Sequence, residues 1–338
     1  MKLGYNILKF LSFNSYSRKN IGYLYAIQHG AKEILEINED IVISDLNSFN
    51  IEFNKIYFGI RNDSKMINPY IHFREKHIWP RGFRLSDIGS QCYNKFYTLD
   101  SKHLKLTPLI YQGLINRVPD IDTIFQKTTI SNNEYNFSYI EPFIYFPGNY
   151  IPINSKNTKY LYALFPFLVL PSTISEEISD ILRGYILQYF TWRFNGCVVY
   201  ISSQNYKTTK NVSKKSNFFE ERKLFYNLDN YLDALNNASN LELNEIDILF
   251  YIIKNLVNLG FLGEKDLKIY KAYIDDLSNI GYNYSSKFVN QLKYNYKEYI
   301  ASSIEFNSYF PSELLKINHK NITIFYQQKS LMKNKNTF

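Results

Sequence analysis

The sequence predicts an α/β fold followed by a helical carboxyl-terminal region. Three observations support this prediction: a strand, helix and strand pattern near the start, a buried strand directly after a long amphipathic helix, and two successive amphipathic helices late in the chain. We assign residues 1–210 to the α/β domain, residues 218–300 to the helical region and residues 301–338 to an irregular tail.

The α/β pattern begins with "YNILKFLSF" (residues 5–13), which has the apolar character of a strand. The next segment, "SYSRKNIGYLYAIQHGA", has apolar residues at helical spacing, with Ser17 suited to cap the helix and Gly30 suited to end it. A second strand, "EILEI" (residues 33–37), follows. Parallel sheets are wound from this unit, and their chemistry lies where the carboxyl ends of strands open into loops.

A polar triplet, Asn38, Glu39 and Asp40, comes directly after the second strand. Oxygen-bearing side chains at a strand end suit a divalent cation that bridges to a diphosphate. Asn and Asp are also ordinary turn residues. The turn interpretation is favoured when the triplet is considered alone.

The middle of the chain, residues 44–160, is rich in loops and contains two candidate binding motifs. In "WPRGF", the guanidinium of Arg81 beside Trp79 suits a phosphate or a carboxylate, although the motif can also be a plain turn. In "PDID", Asp120 and Asp122 are by default turn or helix-capping residues.

A long amphipathic helix is predicted over "ISEEISDILRGYILQYFTW" (residues 174–192), with the buried strand "GCVVYIS" after it. Asp180, Gly184 and Gln188 share a face of this helix away from the apolar stripe. Asp180 and Arg183 are also spaced to form an ion pair on the helix surface. Asp180 is therefore either a site residue or half of a surface pair.

Two further amphipathic helices are predicted over residues 246–263 and 264–282, each ended by glycine. Together they define the helical carboxyl-terminal region.

Composition narrows the classes of function. The chain has 338 residues, of which 45% are hydrophobic, and this is enough to bury a sizeable core. Its 39 Lys and Arg exceed its 31 Asp and Glu, giving a formal charge of +8, but the basic residues are spread along the chain. We therefore expect no specific nucleic-acid binding, and treat a nucleic-acid binder as the weakest of three possibilities.

Cys92 and Cys197 are the only cysteines and stand alone, which favours a reducing compartment over a disulfide framework. No apolar run is long enough to span a membrane, and the first residues lack a signal-peptide pattern. The default expectation is a cytoplasmic protein without a transmembrane segment.

Six segments occur along the chain in this order: "RKNIGYLYAIQHGAKEILEINEDI", "NPYIHFREKHIWPRGFRL", "LIYQGLINRVPDIDTIF", "IPINSKNT", "DILRGYILQYFTW" and "FFEERKLF". Taken together they resemble the STELLO family, plant Golgi proteins with counterparts elsewhere, whose conserved domain resembles a glycosyltransferase. A looser likeness to the reversibly glycosylated polypeptides, the UDP-arabinopyranose mutases, is visible in the acidic strand end, in "WPRG" and in "GLINRVPDID". The resemblance covers roughly residues 13 to 300.

The resemblance implies a GT-A-like domain, a nucleotide-sugar-binding sandwich that uses a DXD-like acidic motif for Mn²⁺ or Mg²⁺. The acidic triplet of the family falls on Asn38, Glu39 and Asp40, where the family usually has aspartates. Asn38 supplies one neutral carbonyl oxygen in place of a carboxylate, so the resemblance also implies weakened metal binding. The first strand of the family domain lies before the start of this chain, and we expect an amino-terminally shortened domain.

The resemblance further implies the roles of individual side chains. Asp180 is the candidate general base on an acceptor hydroxyl, with Arg183 and Gln188 orienting it or the diphosphate. Arg81 is expected near the phosphates, with the remaining substrate contacts assigned to Trp79, Asp120 and Asp122.

Two functions remain open besides the weaker possibility of a nucleic-acid binder. The first is a glycosyltransferase that binds a nucleotide-sugar, most directly a UDP-sugar, through a divalent metal and transfers the glycosyl group to an unknown acceptor hydroxyl. The alternative is a catalytically inactive STELLO-like protein that acts as the interaction partner of another glycosyltransferase or polysaccharide synthase. Asn38 and the short amino terminus favour the alternative.

Overall fold

A computed structural model describes most of the chain. Side chains are not described for strands 55–60, 95–100, 315–319 and 322–326 or for residues 218–220. The described residues are 4–38, 40–43, 49–51, 55–60, 66–73, 78–88, 95–100, 106–128, 134–137, 142–145, 147–202, 205–207, 218–283, 315–319 and 322–326.

The first described segment is not the predicted strand. Residues Asn6–Lys9 form a 3₁₀ helix, and the backbone N–H groups of Asn6 and Ile7 donate to the two carboxylate oxygens of Asp276 at 2.8 and 2.9 Å. These N–H groups are hydrogen-bonded by a carboxylate that lies 270 residues later than Asn6 in the chain, instead of by a neighbouring strand. The prediction of a strand here is wrong.

Helix α1 (Lys19–Gln28) confirms the predicted helix, and Gly30, two residues after its last residue, has a φ of +86°, the left-handed conformation that commonly terminates a helix. Its start differs from the prediction. A 3₁₀ turn (Tyr16–Arg18) leads into the helix, and the Ser17 hydroxyl bonds to Ser15 instead of capping it.

The described strands form a mixed nine-stranded sheet and a separate two-stranded pair, so the fold is α/β with a central sheet and several helices. The order of strands across the large sheet is β1, β7, β5, β8, β6, β3, β4, β11, β10, and β2 pairs with β9. The strands are β1 (Glu33–Ile37), β2 (Ile41–Val42), β3 (Lys55–Ile60), β4 (Lys95–Asp100), β5 (Thr107–Gly113), β6 (Phe143–Tyr145), β7 (Asn157–Leu161), β8 (Gly196–Ile201), β9 (Tyr206–Lys207), β10 (Leu315–His319) and β11 (Ile322–Tyr326).

Strand β1 is present as predicted, but its pairing is not. It lies at the edge of the sheet and pairs antiparallel with β7, with Ile37 opposite Asn157. The expected parallel unit around α1 is therefore wrong, because the segment proposed as its first strand is the 3₁₀ helix described above.

Several chain segments nevertheless meet at the edge of the sheet where β1 ends. Strands β1 and β5 both run antiparallel to β7, and β8 runs parallel to β5, so β1, β5 and β8 point in the same direction. Their carboxyl ends open at one edge, where β7 begins. The loop after β5, the residues after β1 and the segment before β7 meet there.

Helix α3 (Glu176–Arg193) confirms the predicted amphipathic helix, and its polar face docks on the segment before β7. Asp180 accepts from Ser155, Gly184 lies against Ile153, and Gln188 bonds to Ile151. Steps of four residues along a helix cover about 6 Å, and steps of two residues along an extended chain cover about 6.6 Å. The two spacings match, so one helix face can contact residues 151, 153 and 155 in turn.

Helices α5 (Glu245–Asn258) and α6 (Glu264–Asn279) confirm the two predicted carboxyl-terminal helices. Gly260 and Gly281 follow them with φ of +74° and +78°. Helix α4 (Phe218–Asn237) precedes them, a short helix α2 (Thr123–Thr128) lies in the middle of the chain, and residues 284–300 of the predicted helical region are outside the described residues.

The helical region and the α/β part share one hydrophobic core. For example, the hydroxyls of Tyr231 on α4 and Tyr273 on α6 donate to the backbone carbonyls of Leu182 and Phe165. The tail, predicted to be irregular, contains β10 and β11 at the far edge of the sheet. Of the helices described, not one combines the length and apolarity needed to cross a bilayer.

Candidate functional site

Arg81 is the centre of a buried ion cluster at the carboxyl edge of the sheet. Its Nε and Nη2 donate to the two oxygens of Asp120 at 3.0 and 2.8 Å, and its Nη1 and Nη2 donate to the two oxygens of Asp180 at 2.9 and 3.0 Å. Nη1 also donates to the backbone carbonyl of Glu177. Side-chain exposure is 6% for Arg81 and Asp120 and 2% for Asp180. One guanidinium therefore joins two carboxylates that are far apart in sequence.

The backbone brings Arg81 and Asp120 together. The "WPRGF" and "PDID" segments form a short antiparallel bridge, in which Arg81 N–H donates to the Asp120 carbonyl and Asp122 N–H donates to the Trp79 carbonyl, both at 3.2 Å. Gly82 follows with φ of +85°, and a Cβ on it would lie 2.4 Å from the Ile181 side chain. Glycine therefore allows this turn to approach α3 closely.

Ser155 and Lys156 complete the cluster from the segment before β7. Both the N–H and the hydroxyl of Ser155 donate to Asp180 Oδ2 at 3.2 Å. The Lys156 ammonium donates to Asp120 Oδ1 at 2.6 Å, and its side chain is 30% exposed. Lys156 is thus the member of this cluster that reaches the surface.

These cations keep the two aspartates ionised. Burial raises the pKa of Asp120, but Arg81 and Lys156 more than offset it and hold that pKa well below its usual range. Burial also raises the pKa of Asp180, and Arg81 again lowers it below its ordinary value. Both carboxylates are hydrogen-bonded anions, and the low pKa of Asp180 makes it a weak proton acceptor.

Arg183 does not pair with Asp180, so the helix-surface ion pair considered from the sequence is wrong. Its Nη2 donates to Glu36 Oε2 at 2.8 Å and to the Tyr160 hydroxyl at 3.0 Å, and its Nη1 donates to Tyr23 at 2.7 Å. The Arg183 side chain has no exposure. It anchors α3 to β1, because Glu36 is a residue of that strand.

Asn38, the first residue of the predicted metal triplet, lies beside a lysine. Asn38 Oδ1 accepts from the Lys19 ammonium at 2.8 Å, and the same ammonium lies 3.1 Å from Glu36 Oε1 and 3.1 Å from the Tyr16 hydroxyl. Asp40 is partly exposed, and Glu39 lies outside the described residues. The Asn38 N–H donates to the Lys156 carbonyl at 3.3 Å, which brings the strand end against the ion cluster.

The two groups of charged residues form one network. The Tyr16 hydroxyl is hydrogen-bonded to Ser155 Oγ, which in turn bonds to Asp180. Burial raises the pKa of Tyr16 far above its usual value, and the negative charge of Asp180 raises it further. The phenol therefore stays neutral. A continuous path of polar contacts therefore runs from Asn38 through Lys19, Tyr16 and Ser155 to the ion cluster.

Asp122 and Trp79 lie next to this network and have different contacts. Asp122 Oδ1 caps α2 by accepting from Ile124 N–H at 2.8 Å. Burial, with the nearby Glu221 carboxylate, raises the pKa of Asp122 to about 7. The Trp79 ring packs edge-to-face on Phe125, with centroids 4.9 Å apart. Asp122 and Trp79 therefore lie near Asp120 because of the backbone hydrogen bonds of the short antiparallel bridge, while their side chains make other contacts.

Gln188 points away from the cluster. Its Oε1 accepts from Ile151 N–H at 2.9 Å, and its Nε2 donates to the Ile151 carbonyl at 2.7 Å. The side chain is fully buried. It orients the segment before β7 and does not contact Asp180, which is two turns earlier on the same helix.

Sequence reasoning missed five members of the network: Tyr16, Lys19, Glu36, Ser155 and Lys156. A signal for the last four was available, because they lie in the "RKNIGYLYAIQHGAKEILEINEDI" and "IPINSKNT" segments that carry the family resemblance, whereas Tyr16 lies just before the first of these. Their roles depend on which segments meet at the carboxyl edge, and this depends on the pairing of β1 with β7.

The described donor set does not fit a divalent cation at the strand end. The Asn38 oxygen already accepts from an ammonium, and a second cation bound to the same oxygen would be repelled by it. Within the described part of the chain, which excludes Glu39, no group of three or more His, Cys, Asp or Glu side chains could hold a metal ion.

Two curated relatives from Arabidopsis thaliana match most of the chain. The protein named "Probable glycosyltransferase STELLO1" is 31% identical over an alignment of 297 residues that covers 83% of this chain. The chain is a STELLO homologue. A second STELLO protein, named "Probable glycosyltransferase STELLO2", is 30% identical over an alignment of 301 residues that again covers 83% of this chain.

The chain spans 38% of the length of each of these two STELLO relatives. No protein-family model matches it. The family resemblance predicted from the six segments is confirmed by the two STELLO relatives.

Proposed function

We propose that this STELLO homologue is a glycosyltransferase domain of the GT-A type that binds a nucleotide-sugar, with a UDP-sugar as the donor. The observation that carries the proposal is the polar network at the carboxyl edge of the sheet, whose buried ions fix two partly exposed lysines. Lys19 is 25% exposed and Lys156 is 30% exposed. Relatives named probable glycosyltransferases support the same reaction class.

The lysines supply what a diphosphate needs. Phosphate oxygens accept hydrogen bonds from ammonium groups, and a partly desolvated ammonium stabilises a phosphate more than an exposed one does. Lys156 is held by Asp120, and Lys19 is held by Glu36 and Asn38. Both charges are therefore positioned before the ligand arrives, which lowers the entropic cost of binding.

In the proposed reaction, the acceptor hydroxyl oxygen forms a bond to the anomeric carbon while the bond from that carbon to the diphosphate oxygen breaks. The acceptor proton passes to a base, and UDP leaves as the anion. The positive charges of Lys19 and Lys156 stabilise the negative charge that develops on the leaving diphosphate.

Asp180 is better suited to position Arg81 than to take the proton, because both of its oxygens already accept hydrogen bonds within the protein. We assign the base to Glu176, an exposed carboxylate in the first turn of α3. Partial burial, Glu177 and Asp180 raise the pKa of Glu176 more than Arg81 and Lys156 lower it. Glu176 therefore lies within electrostatic reach of the ion cluster and is a better proton acceptor than Asp180.

The proposal is tested by calorimetric titration of the chain with UDP-sugars, with Mn²⁺ and with EDTA. Wild type should bind at least one UDP-sugar, and Lys156→Met should weaken binding by about tenfold or more, as expected for loss of one charge-assisted hydrogen bond. Lys254→Met, at an exposed position of α5, is the matched control and should bind as wild type does. No binding of any UDP-sugar in either condition would refute the proposal.

A second candidate function is that of a non-catalytic interaction partner of another glycosyltransferase or polysaccharide synthase. The observation that favours it is the internal satisfaction of the Arg81, Asp120 and Asp180 side chains, which resembles a structural cluster. Turnover separates the two candidates. An active enzyme should lose most of its kcat in Glu176→Gln while keeping its affinity for the donor, whereas an inactive partner has no turnover to lose.

A further inference from the structure

We propose that the Lys19 ammonium takes the place of a divalent cation at the end of β1, so that this site binds the diphosphate of a nucleotide-sugar without a metal. This inference rests on the proposed function and adds to it the charge that meets the ligand.

The ammonium occupies the position where a cation would be held. Its three oxygen neighbours are Asn38 Oδ1 at 2.8 Å, Glu36 Oε1 at 3.1 Å and the Tyr16 hydroxyl at 3.1 Å. The contacts with Asn38 and Tyr16 are hydrogen bonds, and the contact with Glu36 is an ion pair, so two of the three N–H donors of the ammonium are used by hydrogen bonds within the protein. Asn38 suits this role because its carbonyl oxygen is neutral and leaves the positive charge of Lys19 available to a ligand.

The network around Lys19 places two ammonium groups at the solvent. Its bonds join four cationic side chains to three carboxylates, which leaves one positive charge. The two arginines are almost fully buried, whereas the two lysines are partly exposed. An anion approaching this edge therefore meets ammonium groups. The cations are Lys19, Arg81, Lys156 and Arg183, and the carboxylates are Glu36, Asp120 and Asp180.

One of the three Lys19 contacts can be exchanged for a ligand at low cost. The Tyr16 hydroxyl has a second partner, Ser155 Oγ, so it stays hydrogen-bonded when the ammonium turns to a phosphate oxygen. The contacts to Glu36 and Asn38 continue to hold the lysine at the strand end. Arg183 also binds Glu36, which keeps that carboxylate fixed during the exchange.

The experiment uses the full chain and two probes, Mn²⁺ alone and UDP. Free Mn²⁺ is measured by its electron paramagnetic resonance signal, and UDP binding is measured by calorimetry in EDTA and in Mn²⁺. The variants are Lys19→Met, Lys19→Arg, Asn38→Asp and the double variant Lys19→Met with Asn38→Asp. Lys254→Met is the control for removal of a lysine charge elsewhere.

We expect wild type to leave the Mn²⁺ signal unchanged and to bind UDP equally well in EDTA and in Mn²⁺. Lys19→Met should weaken UDP binding in EDTA by tenfold or more, and Lys19→Arg should retain most of it. Asn38→Asp alone should bind no Mn²⁺, because the ammonium is still present. The double variant, with the ammonium removed and a carboxylate restored, should bind Mn²⁺.

Three results would overturn the inference. Loss of the Mn²⁺ signal with wild type would show that the site takes a cation. UDP binding that requires Mn²⁺ would overturn the inference and leave the proposed function standing. Absence of UDP binding in both conditions would overturn the proposed function and this inference with it. If Lys19→Met does not fold, Lys19→Arg and Asn38→Asp still test the inference. It requires that Lys19→Arg bind UDP in EDTA and that Asn38→Asp bind no Mn²⁺.

Discussion

Arg81 and Asp180 face each other across a two-point ion pair, Nη1 to Oδ1 at 2.9 Å and Nη2 to Oδ2 at 3.0 Å, although 99 residues separate them in the sequence. The pair fixes the turn that carries Arg81 to the first half of α3. Because the same guanidinium also holds Asp120, it fixes the loop after β5 at the same point. One side chain therefore sets the relative positions of three chain segments at the candidate site.

The first prediction concerns this guanidinium. Replacing it in Arg81→Met leaves two buried carboxylates without their main partner, and this should lower the free energy of unfolding by about 3–5 kcal/mol. Arg84→Met is the matched control, because Arg84 is a nearby, partly exposed arginine that pairs with Asp229 at the surface at 2.6 Å and at the longer distance of 3.7 Å with Asp87. Its loss should cost about 0–1 kcal/mol.

Urea denaturation followed by circular dichroism measures both free energies. Arg81→Lys is expected to recover only part of the loss, because a single ammonium cannot reproduce the forked contacts to two carboxylates. Equal destabilisation by Arg81→Met and Arg84→Met would contradict the role assigned to the buried cluster.

The second prediction concerns pH. Burial and Glu221 raise the pKa of Asp122 to about 7 in the folded chain, against about 3.9 when unfolded. Between these values the folded state keeps a proton that the unfolded state has lost, so stability falls as pH rises from about 4 to 7 and then levels off. Asp122→Asn removes this titration and keeps the oxygen that caps α2.

The free energy of unfolding of Asp122→Asn, measured relative to that of wild type, should therefore increase as pH rises, by up to about 1.4 kcal/mol per pH unit within this window. Urea titrations at pH 5, 6, 7 and 8 give the difference curve. Asp275→Asn, at an exposed position of α6, is the control that measures the effect of losing one negative charge on the free energy of unfolding. A flat difference curve for Asp122→Asn would show that this carboxyl is ionised in the folded chain across the whole range.

The third prediction compares two helical glycines. A Cβ on Gly184 would lie 2.5 Å from the Ile153 backbone carbonyl oxygen, so Gly184→Ala should push the segment before β7 off α3 and destabilise the chain by about 1–3 kcal/mol. A Cβ on Gly22 in α1 meets nothing within 4 Å. Gly22→Ala should therefore stabilise the chain by up to about 1 kcal/mol through helix propensity.

Thermal melts of the two variants should shift in opposite directions from wild type. The same sign for both would mean that the close contact between α3 and Ile153 does not decide the effect at Gly184. The UDP titration gives a second readout, because displacement of residues 151–155 also moves Lys156 and should weaken binding in Gly184→Ala alone.

The fourth prediction concerns Asp276, whose carboxylate accepts from Asn6 and Ile7 N–H. Asp276→Ala leaves these donors without their charged partner and should cost about 1.5–3 kcal/mol. Hydrogen exchange at the two amides should speed up more than exchange in the core of α3. The neighbouring Asp275→Ala, at an exposed position, should leave both measurements close to wild type, and protection that survives Asp276→Ala would count against the contact.

Patterns within a few turns of chain were predictable from the sequence. The apolar spacing and terminal glycines predicted α5 and α6, and the polar face of Asp180, Gly184 and Gln188 was correctly separated from the apolar stripe of α3. That face is polar because its side chains form hydrogen bonds with the backbone of another segment. The helical period identifies such a face but does not identify what lies against it.

Partners far apart in sequence were not predictable. The spacing of Asp180 and Arg183 suggested a local pair, but each instead binds a residue about one hundred or more positions away, Arg81 for the first and Glu36 for the second. The strand β1 was predicted from its composition, and its antiparallel pairing with β7 was not. Register and neighbour choice depend on the whole sheet, and a single stretch of sequence does not contain them.

The contact of Asp276 with the first residues of the chain has a consequence for synthesis on the ribosome. Asn6 and Asp276 are separated by 270 residues, so the amino-terminal turn emerges long before its anchor is translated. At roughly 5–20 residues per second, the nascent segment waits on the order of 15–50 seconds for that carboxylate. Closure of this end of the fold is therefore a late event, timed by elongation through α6.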